Sequence, residues 1–464
     1  MKKKTLIVGL SMLVLSLGVA ARGGSAEVVN SVTVKTQLDR PVLVRGGGEQ
    51  EVVIKVTIAG GKVVEVEGER APLNLAVVLD RSGSMTGAKI EKAKQAAMML
   101  VDELGQEDVI SLVVYDSDVD VIASAQRVGG RQAQLKRLIQ RIGPGGSTAL
   151  YAGVKCAGDQ LAEFLDEEAI NRVLLLSDGI ANVGPKSNRE ITRLGQHLAG
   201  RGMSVSTIGL GDDYNEDLMT ALAESSDANY YFVDDVEMLA EVFESELGEL
   251  KSVVARKLIV EIEFPDGVKP VRFLGREESF DAKGNKGTIQ FEMLAGGQQR
   301  DLLVLCRVAP KSTGDAENAA VASVNVRYQD TQAEGKLRKV TARVTAELSD
   351  DADLAEKKID AVVRAEAEVF NNADVSRAAI KLADSGDVKA AEKTIDSQIV
   401  HLRSVQSAAP EAQQQLLEAE IDALAKAQSD IGSAGKLSSG SRKNLQWRVY
   451  NRSNAKNLDT PAKK

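Results

Sequence analysis

The 464-residue chain is 43% hydrophobic and 27% charged, with a net charge of −9. That balance describes globular domains with sizeable cores, too long a chain for one ordinary domain, and argues against nucleic acid as a general partner. Aromatic residues make up 3%, so the cores must be aliphatic and stacking platforms for bases or sugars are scarce.

In chain order, Met1-Lys2-Lys3-Lys4 is a basic start and Leu6 to Val19 an apolar core, followed by small residues at Ala20, Ala21 and Ala26. Residues 1–26 read as a secretory signal peptide. An uncleaved anchor is the alternative, although the run is short for a span of ~20 residues. Nothing after residue 20 is apolar enough to cross a bilayer, so the expected location is secreted or periplasmic, in a bacterial envelope.

Residues 28–70 alternate or run β-branched between glycine clusters, as in Glu51-Val52-Val53-Ile54-Lys55-Val56-Thr57-Ile58, and predict strands. Residues 71–252 switch to strand, helix, strand, helix, the pattern of a doubly wound, Rossmann-like α/β domain. Residues 255–348 return to strands. Neither β segment explains its apolar surface alone, so the two are expected to pair into one β-sandwich with the α/β domain inserted in it. Residues 351–430, rich in Ala, Glu, Lys, Gln and Leu, predict helices, with a turn at Ser385-Gly386-Asp387. Residues 436–464 carry eight basic residues against Asp459 alone. They read as a basic flexible tail, with docking onto the acidic body of the same protein as the sharper option.

The most informative cluster is Asp80-Arg81-Ser82-Gly83-Ser84, which follows the apolar run Leu73 to Leu79. The run predicts a parallel strand buried on both faces, and open α/β sheets bind ligands at the carboxyl ends of such strands. One carboxylate and two hydroxyls are hard oxygen donors of the kind Mg²⁺ and Mn²⁺ select. Thr148, in the glycine-rich loop 143–148, and Asp178, ending the strand 172–178, follow at similar positions.

With these five residues the chain resembles the von Willebrand factor A (VWA) family, whose metal-ion-dependent adhesion site (MIDAS) combines D-x-S-x-S, a later Thr and a later Asp. The resemblance implies a divalent cation, Mg²⁺ or Mn²⁺, on Asp80, Ser82, Ser84, Thr148 and Asp178, and a partner protein donating a carboxylate to that metal. The whole layout, with strands flanking the A domain, is similar to bacterial relatives of calcium-activated chloride channel regulators and inter-alpha-trypsin inhibitor heavy chains.

Other acidic clusters are weaker. Asp116, Asp118 and Asp120 begin like a calcium loop, but Val121 stands where Gly is needed and Arg127 where a bidentate Glu is needed. Asp212, Asp213 and Asp217 read as a turn and a helix start. The two histidines, His197 and His401, are far apart, and the chain has no H-E-x-x-H, G-x-S-x-G or phosphate-loop pattern, so no enzymatic apparatus is visible. The expected function is a non-enzymatic, cation-dependent binding module. The alternative is a scaffold subunit of an envelope complex in which the A domain is structural. Cys156 and Cys306 fall in helix and strand patterns and read as buried thiols, with one long-range bridge as the alternative.

Overall fold

The computed structural model describes residues 27–29, 31–62, 70–310 and 317–456. The expected signal peptide and the last eight residues of the basic segment lie outside them.

Four strands come first: β1 (Glu27–Val29), β2 (Val32–Leu38), β3 (Val42–Val44) and β4 (Gln50–Gly60). The α/β part begins with β5 (Leu73–Asp80), α1 (Ala88–Asp102), β6 (Val109–Tyr115), β7 (Val119–Arg127), α2 (Gln132–Gln140) and α3 (Leu150–Ala162). It continues with β8 (Ile170–Ser177), α4 (Asn188–Ala199), β9 (Met203–Leu210), α5 (Glu216–Ser225), β10 (Tyr230–Val233) and α6 (Leu239–Lys251). Six further strands follow: β11 (Val253–Glu263), β12 (Val268–Phe273), β13 (Lys286–Ala295), β14 (Gln299–Val308), β15 (Asn318–Asp330) and β16 (Lys336–Ser349). The chain then turns helical: α7 (Ala352–Lys357), α8 (Ala361–Asp384), α9 (Val388–Ala408), α10 (Glu411–Ala434) and α11 (Ser439–Ser453).

The α/β sheet has the order β10-β9-β8-β5-β6-β7, parallel except for β7. Every residue of β5, β6, β8 and β9 is buried, because helices cover both faces. Leu73, Leu75, Val77 and Leu79 face the core under α1, α2 and α6, while Ala76 and Val78 face the one under α3, α4 and α5. This period-2 division is what a two-faced strand requires. Asn215 caps α5, its side chain accepting from Leu218 N at 3.1 Å. Since β5 lies between β6 and β8, Asp80 ends a strand where the winding reverses, the usual place for a ligand.

The N-terminal strands pair with the later ones. β4 runs antiparallel to β14 from Gln50↔Val308 to Ala59↔Gln299. The sheets β1-β2-β4-β14-β12 and β13-β11-β15-β16-β3 enclose a single core, largely aliphatic with Val52, Ile54, Val304, Val324 and Val344, but joined by Phe264, Phe273, Phe291 and Tyr328. At roughly 1.5–3 kcal/mol per fully buried aliphatic side chain, this shared core gives the N-terminal strands their reason to be ordered. Among the strands without a clear run of their own in the sequence are β12 and β3. β12 contains Pro270 and shifts register there, which an edge strand tolerates. β3 is three residues long, directly after Pro41.

Helices α8, α9 and α10 pack around Val369, Ile395, Leu402, Leu417 and Leu424. Asp360 and Asp387 cap α8 and α9 with their carboxylates, and Gly386 turns between them at φ 86°.

The flexible tail is the correction. Residues 439–453 form α11, and its basic residues are paired with acids from two other parts of the chain. Arg442 reaches Glu216 at 2.5 Å, Asp217 at 2.9 Å and Asp384 at 2.7 Å. Lys443 reaches Glu216 at 2.9 Å, while Arg448 and Arg452 both reach Glu420. Leu445 enters the helical core and Tyr450 the α/β core. A helix that buries one apolar residue in each of two cores, and neutralises both with its charges, is ordered by those contacts. The segment does dock on the protein's own acidic surface.

Candidate functional site

Asp80 is fully buried at the end of β5. Its Oδ1 accepts the Ser82 N–H at 2.8 Å, and its Oδ2 accepts Ser177 Oγ at 2.7 Å and the Tyr115 hydroxyl at 3.3 Å. The chain then bends through Gly83–Met85, where Met85 plugs the turn into the core, and enters α1 after Gly87 at φ 89°. That bend turns Ser82 and Ser84 to the same side, their hydroxyl oxygens 3.1 Å apart. Ser84 donates to Asp178 Oδ1 at 2.7 Å, and Lys89, in the first turn of α1, donates to Asp178 Oδ2 at 2.6 Å.

Thr148 is brought in by a loop fastened at several points. Gly145 N donates to Arg81 O at 2.5 Å, Gly83 N to Gly146 O at 2.9 Å, and Ala149 N to Asp116 O at 2.8 Å. Asn182 accepts the Thr148 N–H at 2.8 Å and returns its own N–H to Thr148 O at 3.1 Å. Glycine is required at 145 because a Cβ there would overlap the Asp116 carboxylate. Arg81 holds that carboxylate at 3.0 Å. Asp116 therefore belongs to the support of the Thr148 loop, and the Asp116-Asp118-Asp120 run is not an independent cluster.

The structure thus brings Asp80, Ser82, Ser84, Thr148 and Asp178 together. Gly179 marks where they converge: a Cβ built on it would lie 2.9 Å from Thr148 Oγ1, 3.4 Å from Ser84 Oγ and 3.5 Å from Ser82 Oγ. Three hydroxyl oxygens border a space that only the absence of a side chain keeps open, with two carboxylates alongside. All five donors are hard oxygens, so the residues fit Mg²⁺ or Mn²⁺. Among the described residues no group of three or more His, Cys, Asp or Glu could hold a metal ion. A cation here would meet two carboxylates and three neutral oxygens, not an all-carboxylate cage.

Electrostatics follow from burial. Burial pushes the Asp80 carboxyl above its ordinary value, against the hydrogen bonds from Ser82 and Ser177, and the Asp178 charge adds to the rise. Burial, with the Asp80 charge, also pushes the Tyr115 hydroxyl well up, so it serves as a neutral donor. Burial works against ionised Asp116 too, but the Asp118 backbone N–H and the Arg81 guanidinium outweigh it and hold the carboxyl below its usual value.

Residues 74–245 match the family model of the von Willebrand factor type A domain. The chain carries a VWA domain. Protein YfbK of Escherichia coli is 30% identical over 281 residues, which cover 56% of this chain and 48% of that protein. The human inter-alpha-trypsin inhibitor heavy chain H3 is 24% identical over 159 residues, covering 33% of this chain and 18% of that one. The chain therefore spans about half of one relative's length and under a fifth of the other's. A solved structure, described as von Willebrand factor type A from Catenulispora acidiphila, superposes with a TM-score of 0.67. It covers 94% of this chain and 100% of that one at 16% identity, a likeness of fold alone.

Several residues around the VWA site were not read from the sequence. Ser177 had a visible signal, a hydroxyl at the end of the aliphatic run 173–176. Tyr115, Asn182 and Lys89 had none, because each arrives from a different element. Ile180 is a large apolar residue left 61% exposed beside the site, between Asp178 and the buried Ala181. His197 and His401 lie on α4 and α9 and bond to none of the site residues described above.

Proposed function

We propose that this protein is a non-enzymatic binding module that grips a partner protein through a divalent cation, Mg²⁺ or Mn²⁺, held by Asp80, Ser82, Ser84, Thr148 and Asp178. The observation that carries the reading is the convergence of the three hydroxyl oxygens on the space above Gly179, with Asp80 and Asp178 beside them. The cation would supply a positive charge that hydroxyl ligands do not quench, open to a carboxylate from the partner. Asp80, fixed by Ser82, Ser177 and Tyr115, carries the main negative charge. Ser82, Ser84 and Thr148 orient neutral oxygens, and Asn182 and Asp116 hold the Thr148 loop in place. Ile180 offers an apolar contact at the rim, where a partner would cover it.

Among the described residues no helix is long and apolar enough to cross a membrane. With the basic and apolar N-terminal pattern of the sequence, we place the protein's work outside the cytoplasm, in a bacterial envelope or beyond it.

The test is retention of envelope and secreted proteins on the immobilised full chain in Mg²⁺. The reading expects proteins that EDTA releases and that the Asp80→Ala variant does not retain. A second reading, a structural VWA domain inside a scaffold, draws support from α11, which ties the domain to the helical part. Partners held equally in EDTA and by Asp80→Ala would favour it and overturn the first.

A further inference from the structure

Lys89 stands at an unusual place. It is the second residue of α1, where the helix presents its positive end, so an ammonium there is disfavoured by the helix dipole. The acid of that first turn, Glu91, pairs instead with Lys94 at 2.9 Å. Lys89 reaches across to Asp178 at 2.6 Å, and Asp178 is wholly buried while Lys89 is part-exposed. The lysine passes beside Gly211, where a built Cβ would lie 3.6 Å from Nζ, so the space next to its ammonium is shared with the β9–α5 loop. Asp178 is thereby held by Ser84 on one oxygen and by Lys89 on the other.

We propose that Lys89 is a built-in counter-charge of the cation site, sharing Asp178 with the bound ion and setting how tightly that ion is held. This rests on the cation reading above. Asp80 and Asp178 bring two negative charges and Lys89 one positive, so the site presents one net negative charge to an incoming divalent ion. Attraction for the ion is weakened, and what the ion keeps is positive charge to offer an anionic partner. The lysine does not compete for the hydroxyl oxygens, because its bond goes to Asp178 Oδ2, while Ser84 uses Oδ1. Its role is therefore a positive charge one carboxylate away from the ion, held by its direct bond to Asp178 Oδ2.

The test is calorimetric titration of the full chain with MgCl₂, wild type against Lys89→Met and Lys89→Gln, with thermal unfolding in EDTA to check that each variant folds. Removing a unit charge one carboxylate away from a divalent ion, in a part-exposed site, is expected to tighten Mg²⁺ binding roughly tenfold or more in both variants. The tightening should shrink as NaCl is raised, since it is a charge effect. If Lys89 only positions Asp178, Lys89→Met would bind Mg²⁺ more weakly and Lys89→Gln, which keeps a donor, would recover it. That pattern, or binding unchanged in both, overturns the proposal and leaves the cation reading standing. Absence of Mg²⁺ binding in wild type and both variants overturns the two together.

Discussion

Gly179 and Thr148 approach so closely that a side chain on residue 179 would have to push the Thr148 hydroxyl aside. A Cβ on residue 179 would lie 2.9 Å from Thr148 Oγ1, tighter than real Cβ contacts allow. The Gly179 backbone does not have positive φ, so alanine there is not strained by conformation. Gly179→Ala is therefore expected to fold normally and to fill the space that the three hydroxyls border. Mg²⁺ affinity should fall by at least about tenfold, with the thermal unfolding midpoint in EDTA shifted little. Calorimetry beside a melting curve checks both halves.

What was legible in the sequence follows from local chemistry. The strand Leu73 to Leu79 announces itself by composition, and Asp80, Ser82 and Ser84 follow it directly. Thr148 and Asp178 could be named because each ends a readable loop or strand. Lys89 could not, since its relation to Asp178 depends on α1 and β8 meeting in space. β12 was hidden by Pro270, which breaks a six-residue run. The fate of α11 was hidden for another reason: eight basic residues in a short segment look like a solvated tail until Glu216, Asp217, Asp384 and Glu420 are found facing them.

The α11 contacts predict where loosening would spread. Tyr450 is buried, stacks edge-on against Tyr230 with ring centroids 5.5 Å apart, and donates its hydroxyl to Ala228 O. Tyr450→Ala should cost about 3–5 kcal/mol of local stability, as large-to-small changes in aromatic core positions do. Because the ring packs on β10, the effect should appear most strongly as faster amide exchange in β10 and α5. Exchange measured by mass spectrometry decides whether α11 is a fastening or merely lies against the surface.

Asp39 gives a pH test of the fold. Burial raises its carboxyl above the ordinary value, against the lowering effects of the Val53 backbone N–H, Arg364 and Arg40. A carboxyl raised by folding contributes stability that is fully present below its unfolded value and lost as pH rises through its folded value. The charged form therefore weakens the fold at neutral pH. Asp39→Asn keeps an acceptor for Val53 N, which lies 2.7 Å from Oδ1, and removes the charge. The variant should melt at or above the wild-type temperature at pH 7, and the gain should vanish as pH falls below the carboxylate range. Melting curves from acid to neutral pH would show a constant difference if burial of the charge were unimportant.

Cys156 and Cys306 sit in separate cores, one on α3 beside the α/β core and one in β14 inside the sandwich, and both are free thiols. Burial pushes both thiols up, Cys306 the more strongly, so neither is a ready nucleophile. Cys306, fully buried, should resist alkylation in the native protein and react only in denaturant. Cys156, half-buried, should react slowly. Intact mass after labelling, without reductant, would expose a disulfide if the two were paired.

On the proposed reading, Asp80, Ser82, Ser84, Thr148 and Asp178 hold one divalent cation. The most direct measurement is an Mn²⁺ titration of the full chain followed by the electron paramagnetic resonance of free Mn²⁺, wild type beside Ser84→Ala and Thr148→Ala. Saturable loss of the free-ion signal at one ion per chain is expected in the wild type, competed by Mg²⁺ and weakened at least about tenfold in each variant. Equal Mn²⁺ uptake by all three proteins, or none by the wild type, would contradict that reading.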